Sequence, residues 1–401
     1  MKSAPLPLED AQARLLALAS PLPVGHLDTA SGAGRFLADP LQARRTQPAR
    51  DLSAMDGYAV AAGDLAGPWQ VIGESAAGHP FAGTLQPGQA VRVATGAVMP
   101  DAGEAVILQE DVTRDGLRLT LTGTPPAPPG KHIRRAGMDF REGGPLLDAG
   151  TRLGPAQIAL AIAGGHRCVA VRRRPVLAVL DSGDELAIDG QDCLPHQIPA
   201  SNGAMLAALC APLAARILPL GPVADRMEAL ASALAGAEEA DVVVTSGGAS
   251  VGDHDLIRPA LEAWGAQIDF WRVAIKPGKP LLIARRGHQL IVGLPGNPVS
   301  SFVTAFHFLL PLLAALQGAA NPLPRRIAAR LAEPLGPVGA RREFLRAVWD
   351  GREIRALALQ DSGALSSLAA ANALIDRPAR AAPAAPSDEV LAYLIGNGGI
   401  A

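Results

Sequence analysis

The stretch Asp241-Val-Val-Val-Thr-Ser-Gly-Gly-Ala-Ser-Val-Gly-Asp-His-Asp255 decides how the chain is read. Residues 241–245 form a short β-branched run, the pattern of a strand buried on both faces in a parallel sheet. The run breaks into Ser246-Gly247-Gly248, where glycines let backbone N–H groups approach a ligand and form an anion-holding concavity. Asp253 and Asp255 close the loop, and Pro259 suits the first turn of a following helix. One strand-loop-helix unit thus offers anion donors and carboxylates together.

The same rhythm extends outward on both sides. It predicts a strand over 176–180, a helix over 202–215, a strand over 216–220, a helix over 224–235 and the strand at 241–245. Further strands are predicted at 267–271, 281–284 and 290–292, with a long helix from Pro298 closing the set. Strands alternating with helices imply a mostly parallel sheet with right-handed crossovers, whose ligands sit beyond the carboxyl ends of the strands.

Before this α/β unit, Leu8, Ala11, Leu15, Leu18 and Ala19 recur at helical spacing. A region from about 24 to 139 follows with short alternating runs at 69–72, 90–93, 105–108 and 117–121, the signature of a β-rich module of short strands. Pro155 and Gly164-Gly165 bracket a helix, and Arg172-Arg-Arg-Pro175 marks a boundary. The chain divides into 1–174, 175–322 and a small all-β domain over 323–401. The fold class is α/β multidomain.

With 401 residues, 49% of them hydrophobic and 18% charged, the composition is that of an ordinary globular protein. A formal net charge of -2 gives no general attraction to nucleic acid or anionic membranes. Cys168, Cys193 and Cys210 form no C-x-x-C pair, which fits a reducing cytoplasm and no structural zinc. The uncharged segment 299–316 is long enough to span a bilayer. Asn297 as N-cap, Pro298, and the polar Ser300, Ser301, Thr304 and His307 favour a buried soluble helix instead.

Three loops should meet at the carboxyl edge of the sheet. The first is Asp181-Ser182-Gly183-Asp184-Glu185, and the second holds Ser246, Gly247, Gly248, Ser250 and Asp255. The third combines Lys276-Pro-Gly-Lys279-Pro280 with Gly293-Leu-Pro295-Gly296-Asn297-Pro298. Lysines and a helix N-terminus favour phosphate or another oxyanion. Carboxylates beside an anion repel it, and a hard divalent cation removes that conflict. Mg²⁺ takes one or two carboxylates plus phosphate oxygens, so Glu185, Asp184 and Asp255 are reasonable ligands, Glu185 and Asp255 foremost. Asp56, within Ser53-Ala-Met-Asp-Gly-Tyr-Ala59, and Arg134 and Asp139, within Ile133-Arg-Arg-Ala-Gly-Met-Asp139, have a similar character.

These motifs, with Thr95-Gly-Ala, Ser182-Gly-Asp-Glu-Leu186, Ser201-Asn202 and Leu294-Pro-Gly-Asn-Pro298, occur in the order found in molybdopterin molybdenumtransferases. From residue 8 to 320 the chain resembles this family of molybdenum insertases, to which the gephyrin E domain belongs. The resemblance implies an elongated homodimer of four-domain subunits, with a discontinuous linker domain (about 1–23 with 140–174), an inserted β-rich domain (about 24–139), a molybdopterin-binding α/β domain (175–322) and a C-terminal β-barrel (323–401), in which molybdate and adenylylated molybdopterin react with Mg²⁺ assistance, molybdenum enters the dithiolene and AMP leaves. It implies functional roles for Asp56, Asp139, Glu185, Asp225, Asp255, Lys276 and Lys279, and traffic with other cofactor-biosynthesis proteins. Ser182 stands where threonine is usual, Arg272 where lysine is common, and the segment 190–202 is longer than the family pattern. An inactive molybdopterin-binding scaffold of the same fold is the competing reading, against which Glu185 and Asp255 weigh. A phosphotransferase is disfavoured, because no G-x-x-x-x-G-K-[ST] loop occurs.

Overall fold

The computed structural model describes residues 4–61, 63–247 and 256–396. Its centre is a six-stranded sheet in the order Arg216–Pro219, Val176–Asp181, Val242–Ser246, Gln289–Leu294, Pro280–Arg286 and Gln267–Arg272. The first four strands run parallel; Pro280–Arg286 is antiparallel to both of its neighbours. Val242, Val243 and Val244 are fully buried, as two-sided coverage by helices requires. On one face the sheet packs against helices Met227–Ala235 and Ile257–Ala263, on the other against Asn202–Cys210 and the long helix Pro298–Leu316. The expected helix over 202–215 ends early at Cys210, because Pro212 has no N–H to continue the ladder.

The helix Pro298–Leu316 is mostly buried in this core. Its middle widens into a π-helical turn, Ala305–Leu309. Pro311 cannot donate to the carbonyl of His307 four residues back, and Gln12 Nε2 supplies the missing hydrogen bond at 2.9 Å. Leu8, Ala11, Gln12 and Leu15 form the buried face of the N-terminal helix Leu8–Leu16. Thus one proline pins the start of the chain to the core.

In the N-terminal region Trp69–Ser75, Gln89–Val93, Ala105–Leu108 and Arg118–Leu121 join Gly57–Val60 and Val112–Asp115 in a second six-stranded sheet. Val24–Asp28 lies apart from it, paired antiparallel with Cys168–Arg172. At the other end, Arg342–Trp349, Glu353–Ala356, Arg326–Leu331, Glu389–Leu394 and Ala373–Arg377 close into a five-stranded barrel when the last pairs with the first. Arg342 joins three parts of the chain, meeting Glu9 of the first helix and the buried Asp376 of the barrel. The short strand Ile275–Lys276 leaves the central sheet and pairs with Arg342–Trp349, drawing the barrel to the sheet's edge.

Candidate active site

Strand register brings the chemistry together. Asp181 pairs with Ser246, and Ser246 with Leu294, so the loops after these parallel strands start side by side. The antiparallel Pro280–Arg286 begins at the same edge, which places Lys279 there too. Gly247 has φ of 94°, and a Cβ on it would lie 3.1 Å from the Ser182 carbonyl oxygen. Gly278 has φ of 103°, and its Cβ would stand 2.4 Å from Thr304 Oγ1; only glycine lets the lysine loop lie on the long helix. Asn202 ties the loops by donating from Nδ2 to Ser246 Oγ at 2.8 Å and to the Gly296 carbonyl at 2.6 Å.

Two cavities open at this edge. One, of about 710 Å³, is lined by Asp181, Ser182, Glu185, Ser201, Asn202 and Ser246 with several apolar side chains. The other, of about 650 Å³, presents Lys276, Lys279, Arg341, Glu343, Pro295 and Ser362. Gly247, Gly296 and Asn297 line both, so a cavity with the carboxylates Asp181 and Glu185 adjoins one with Lys276, Lys279 and Arg341.

On the acidic side the backbone N–H of Asp225 donates to Asp184 Oδ1 at 3.0 Å. Burial raises the Asp225 carboxyl above its ordinary range, the charges of Asp184 and Glu185 raise it further, and the Ser182 hydroxyl partly offsets them. Among the described residues no three His, Cys, Asp or Glu side chains form a ready cation cage. Mg²⁺ needs only one or two carboxylates when substrate oxygens complete its shell, and the mutual repulsion of these acids is the conflict a cation relieves. The acids present therefore fit such an ion, and Glu185 is the described residue that would hold it. Gly248, Ser250 and Asp255 lie outside the described residues.

On the basic side Lys276 Nζ meets Glu343 Oε1 at 3.0 Å. Lys279 has no ion pair among the described residues. Asn297 sits at the N-cap of the long helix, but its side chain makes no capping bond; Nδ2 reaches Ser362 Oγ at 3.1 Å. Arg341 and Ser362 come from the barrel region and were missed by sequence reasoning, because no motif marks them; only the fold brings them in.

Asp56, Arg134 and Asp139 line neither cavity within one chain. Asp56 accepts from Thr95 N at 2.6 Å and Thr95 Oγ1 at 2.9 Å, and these bonds hold its carboxyl below the ordinary range. Arg134 lies on the strand Ile133–Arg134, paired with Leu52–Ser53, and Asp139 donates its N–H to Gln47 O.

A mostly parallel sheet with glycine-bearing loops at its carboxyl edge, tied to a closed barrel, defines a multidomain α/β protein. Residues 6–165 match the MoeA N-terminal region (domain I and II), 178–315 a probable molybdopterin binding domain, and 328–395 the MoeA C-terminal region (domain IV). The chain belongs to the MoeA family. It is 37% identical over 319 residues to a molybdopterin molybdenumtransferase of Haemophilus influenzae, covering 78% of each chain. A Bacillus subtilis protein of the same name is 31% identical over 393 residues, covering 94% of this chain and 91% of the relative. A crystal structure of the molybdopterin biosynthesis MoeA protein from Pyrococcus horikoshii superposes with a TM-score of 0.83 at 26% identity, covering 98% of this chain and 100% of that one.

Proposed function

We propose that this protein is a molybdopterin molybdenumtransferase: it inserts molybdenum from molybdate into adenylylated molybdopterin and releases AMP. The observation that carries the reading is the pair of adjoining cavities, one acidic and one basic, which share Gly247, Gly296 and Asn297 in their linings. Molybdate is a doubly charged oxyanion. Lys276, Lys279 and Arg341 supply the cations it needs, and Ser362 a hydroxyl donor. The pterin nucleotide lies where the two cavities adjoin, its phosphates near the backbone of Gly247 and Gly296 and the N-terminus of the long helix.

Glu185 and Asp255 would hold Mg²⁺, which would neutralise charge at the phosphates. Asp184 and Asp225 set the field around that site, and Ser182 and Asn202 orient the loops. The two lysines hold the oxyanion against the pterin side, which converts an encounter of two anions into a positioned one. Asp56, Arg134 and Asp139 act at the same centre from a second subunit of a homodimer, since they do not reach it in their own chain. We read the domain divisions near 174 and 322, in keeping with the family matches, and place the protein in the cytoplasm.

The test is incubation with adenylylated molybdopterin, Mg²⁺ and molybdate. AMP release that depends on both ions supports the reading; release indifferent to molybdate contradicts it.

A further inference from the structure

The arginine run that leads into the central domain divides into separate roles. Arg172 Nη1 donates to the Leu22 carbonyl at 2.9 Å and ties down the N-terminal segment. Arg173 is held by the two oxygens of Asp241, each at 2.6 Å. The side chain of Arg174 is half-buried, yet it has no hydrogen bond or ion pair among the described residues. Its Nε is closed off without an acceptor, and so is Nε of the half-buried Arg35, whose Nη2 donates to the Arg172 carbonyl at 2.6 Å. The terminal nitrogens of Arg174 and Nη1 of Arg35 are not closed off, and through them the pair faces solvent.

Arg152 completes the group. Gly34 has φ of 74°, and a Cβ on it would stand 3.4 Å from Arg174 Nη2 and 3.8 Å from Arg152 Nη2. Glycine suits this left-handed turn and leaves open a small space that both guanidiniums border. The pKa of Arg35, next in the chain, is lowered by burial and then by the charge of Arg174. Among the described residues no ion pair relieves any of the three. Asp148 shares with Arg152 the lining of a neighbouring cavity of about 730 Å³, but it pairs with none of them. Surface arginines ordinarily carry their heads out into water, where like charges are screened. Here two are half-buried side by side with a third at their rim, an arrangement that an anion stabilises.

We propose that Arg35, Arg152 and Arg174 form an anion site that takes a doubly charged tetrahedral oxyanion, either free or as a phosphate monoester. Guanidinium forks match pairs of such oxygens. Arg174 precedes the strand Val176–Asp181, and Asp181 at the far end of that strand lines the acidic cavity, so the site lies at the opposite end of the central sheet. It is independent of the molybdenumtransferase reading.

The test is equilibrium binding of inorganic phosphate to the full chain carrying Lys276→Ala/Lys279→Ala, which removes the lysines of the basic cavity, at constant ionic strength with chloride as the control anion. Phosphate should still bind. Adding Arg174→Gln or Arg152→Gln should weaken it by about tenfold or more, the scale of one lost charge-assisted contact. Neither side chain makes a hydrogen bond among the described residues, so both variants should fold, and phosphate should raise the thermal midpoint of the parent but not of the variants. AMP added to the phosphate complex separates the two sources of the anion: displacement assigns a phosphate monoester, and no displacement a free oxyanion. Absent phosphate binding in the lysine background, a chloride response equal to that of phosphate, or an affinity unchanged by both arginine substitutions would each overturn the site.

Discussion

Lys276 Nζ and Glu343 Oε1, 3.0 Å apart, join the loop that leaves the central sheet to a strand of the barrel. The pair sits in the basic cavity, where Glu343 neutralises one of the charges assigned to molybdate. Glu343→Gln keeps the shape and removes that competitor. Half-saturation by molybdate should fall several-fold, a change of about 1 kcal/mol or less for a partly exposed pair. A rise, measured in the AMP-release assay, means that Glu343 serves by positioning the lysine.

Asp241 anchors the start of the central strands. Its carboxylate accepts from Arg173 Nη1 and Nη2, both at 2.6 Å, and from the Val176 N–H at 2.8 Å. Asp241→Asn should cost about 2 kcal/mol in denaturant unfolding, the scale of lost charge-assisted hydrogen bonds. Burial raises this carboxyl's pKa, but the Arg173 and Val176 hydrogen bonds outweigh it and the net shift is downward. The stabilisation is therefore present above the ordinary carboxylate range and lost as pH falls through the lowered value. The variant should show a flatter acid limb than wild type.

His307 is fully buried against Phe306, Phe344 and Tyr393, with neither ring nitrogen hydrogen-bonded. Burial, with a contribution from Arg342, pushes its pKa from 6.5 down to about 3. The unfolded chain binds this proton first, so stability drains away as pH falls from 6.5 towards 3. His307→Phe should remove this slope, and its stability relative to wild type should improve by roughly 1 kcal/mol per pH unit below neutral histidine titration. Parallel pH profiles for the two proteins would contradict the neutral buried state.

Asp56 and Glu185 test the shared site. If each centre takes Asp56 from one subunit and Glu185 from the other, Asp56→Ala and Glu185→Ala chains refolded together give mixed dimers with one intact centre. Random mixing makes half the dimers mixed, so about a quarter of wild-type AMP release should return. No recovery, with mixed dimers shown by mass, places the centre within one chain or removes Asp56 from it.

Much of this was legible in the residues. The β-branched run at 241–245, the apolar strands around it and the loop motifs carry local signals of period, turn and charge, and register then sets the loops side by side. The pairing of Val24–Asp28 with Cys168–Arg172 was not legible, because strand partners so far apart in sequence leave no local mark. Arg341 and Ser362 belong to short barrel-region segments whose role depends on where closure places them. The amide of Asn297 looked like a helix cap, yet the approach of Ser362 redirects it.

The division of labour between the two cavities is tested most directly by measuring binding of adenylylated molybdopterin and the response to molybdate in two variants. The Lys276→Ala/Lys279→Ala double variant should bind the pterin nucleotide within a few-fold of wild type yet lose about tenfold or more in its molybdate response, as for lost charge-assisted contacts. Glu185→Ala should weaken Mg²⁺-dependent binding of the nucleotide and leave the molybdate concentration for half-maximal release nearly unchanged. Equal losses of both ligands in both variants would contradict the account.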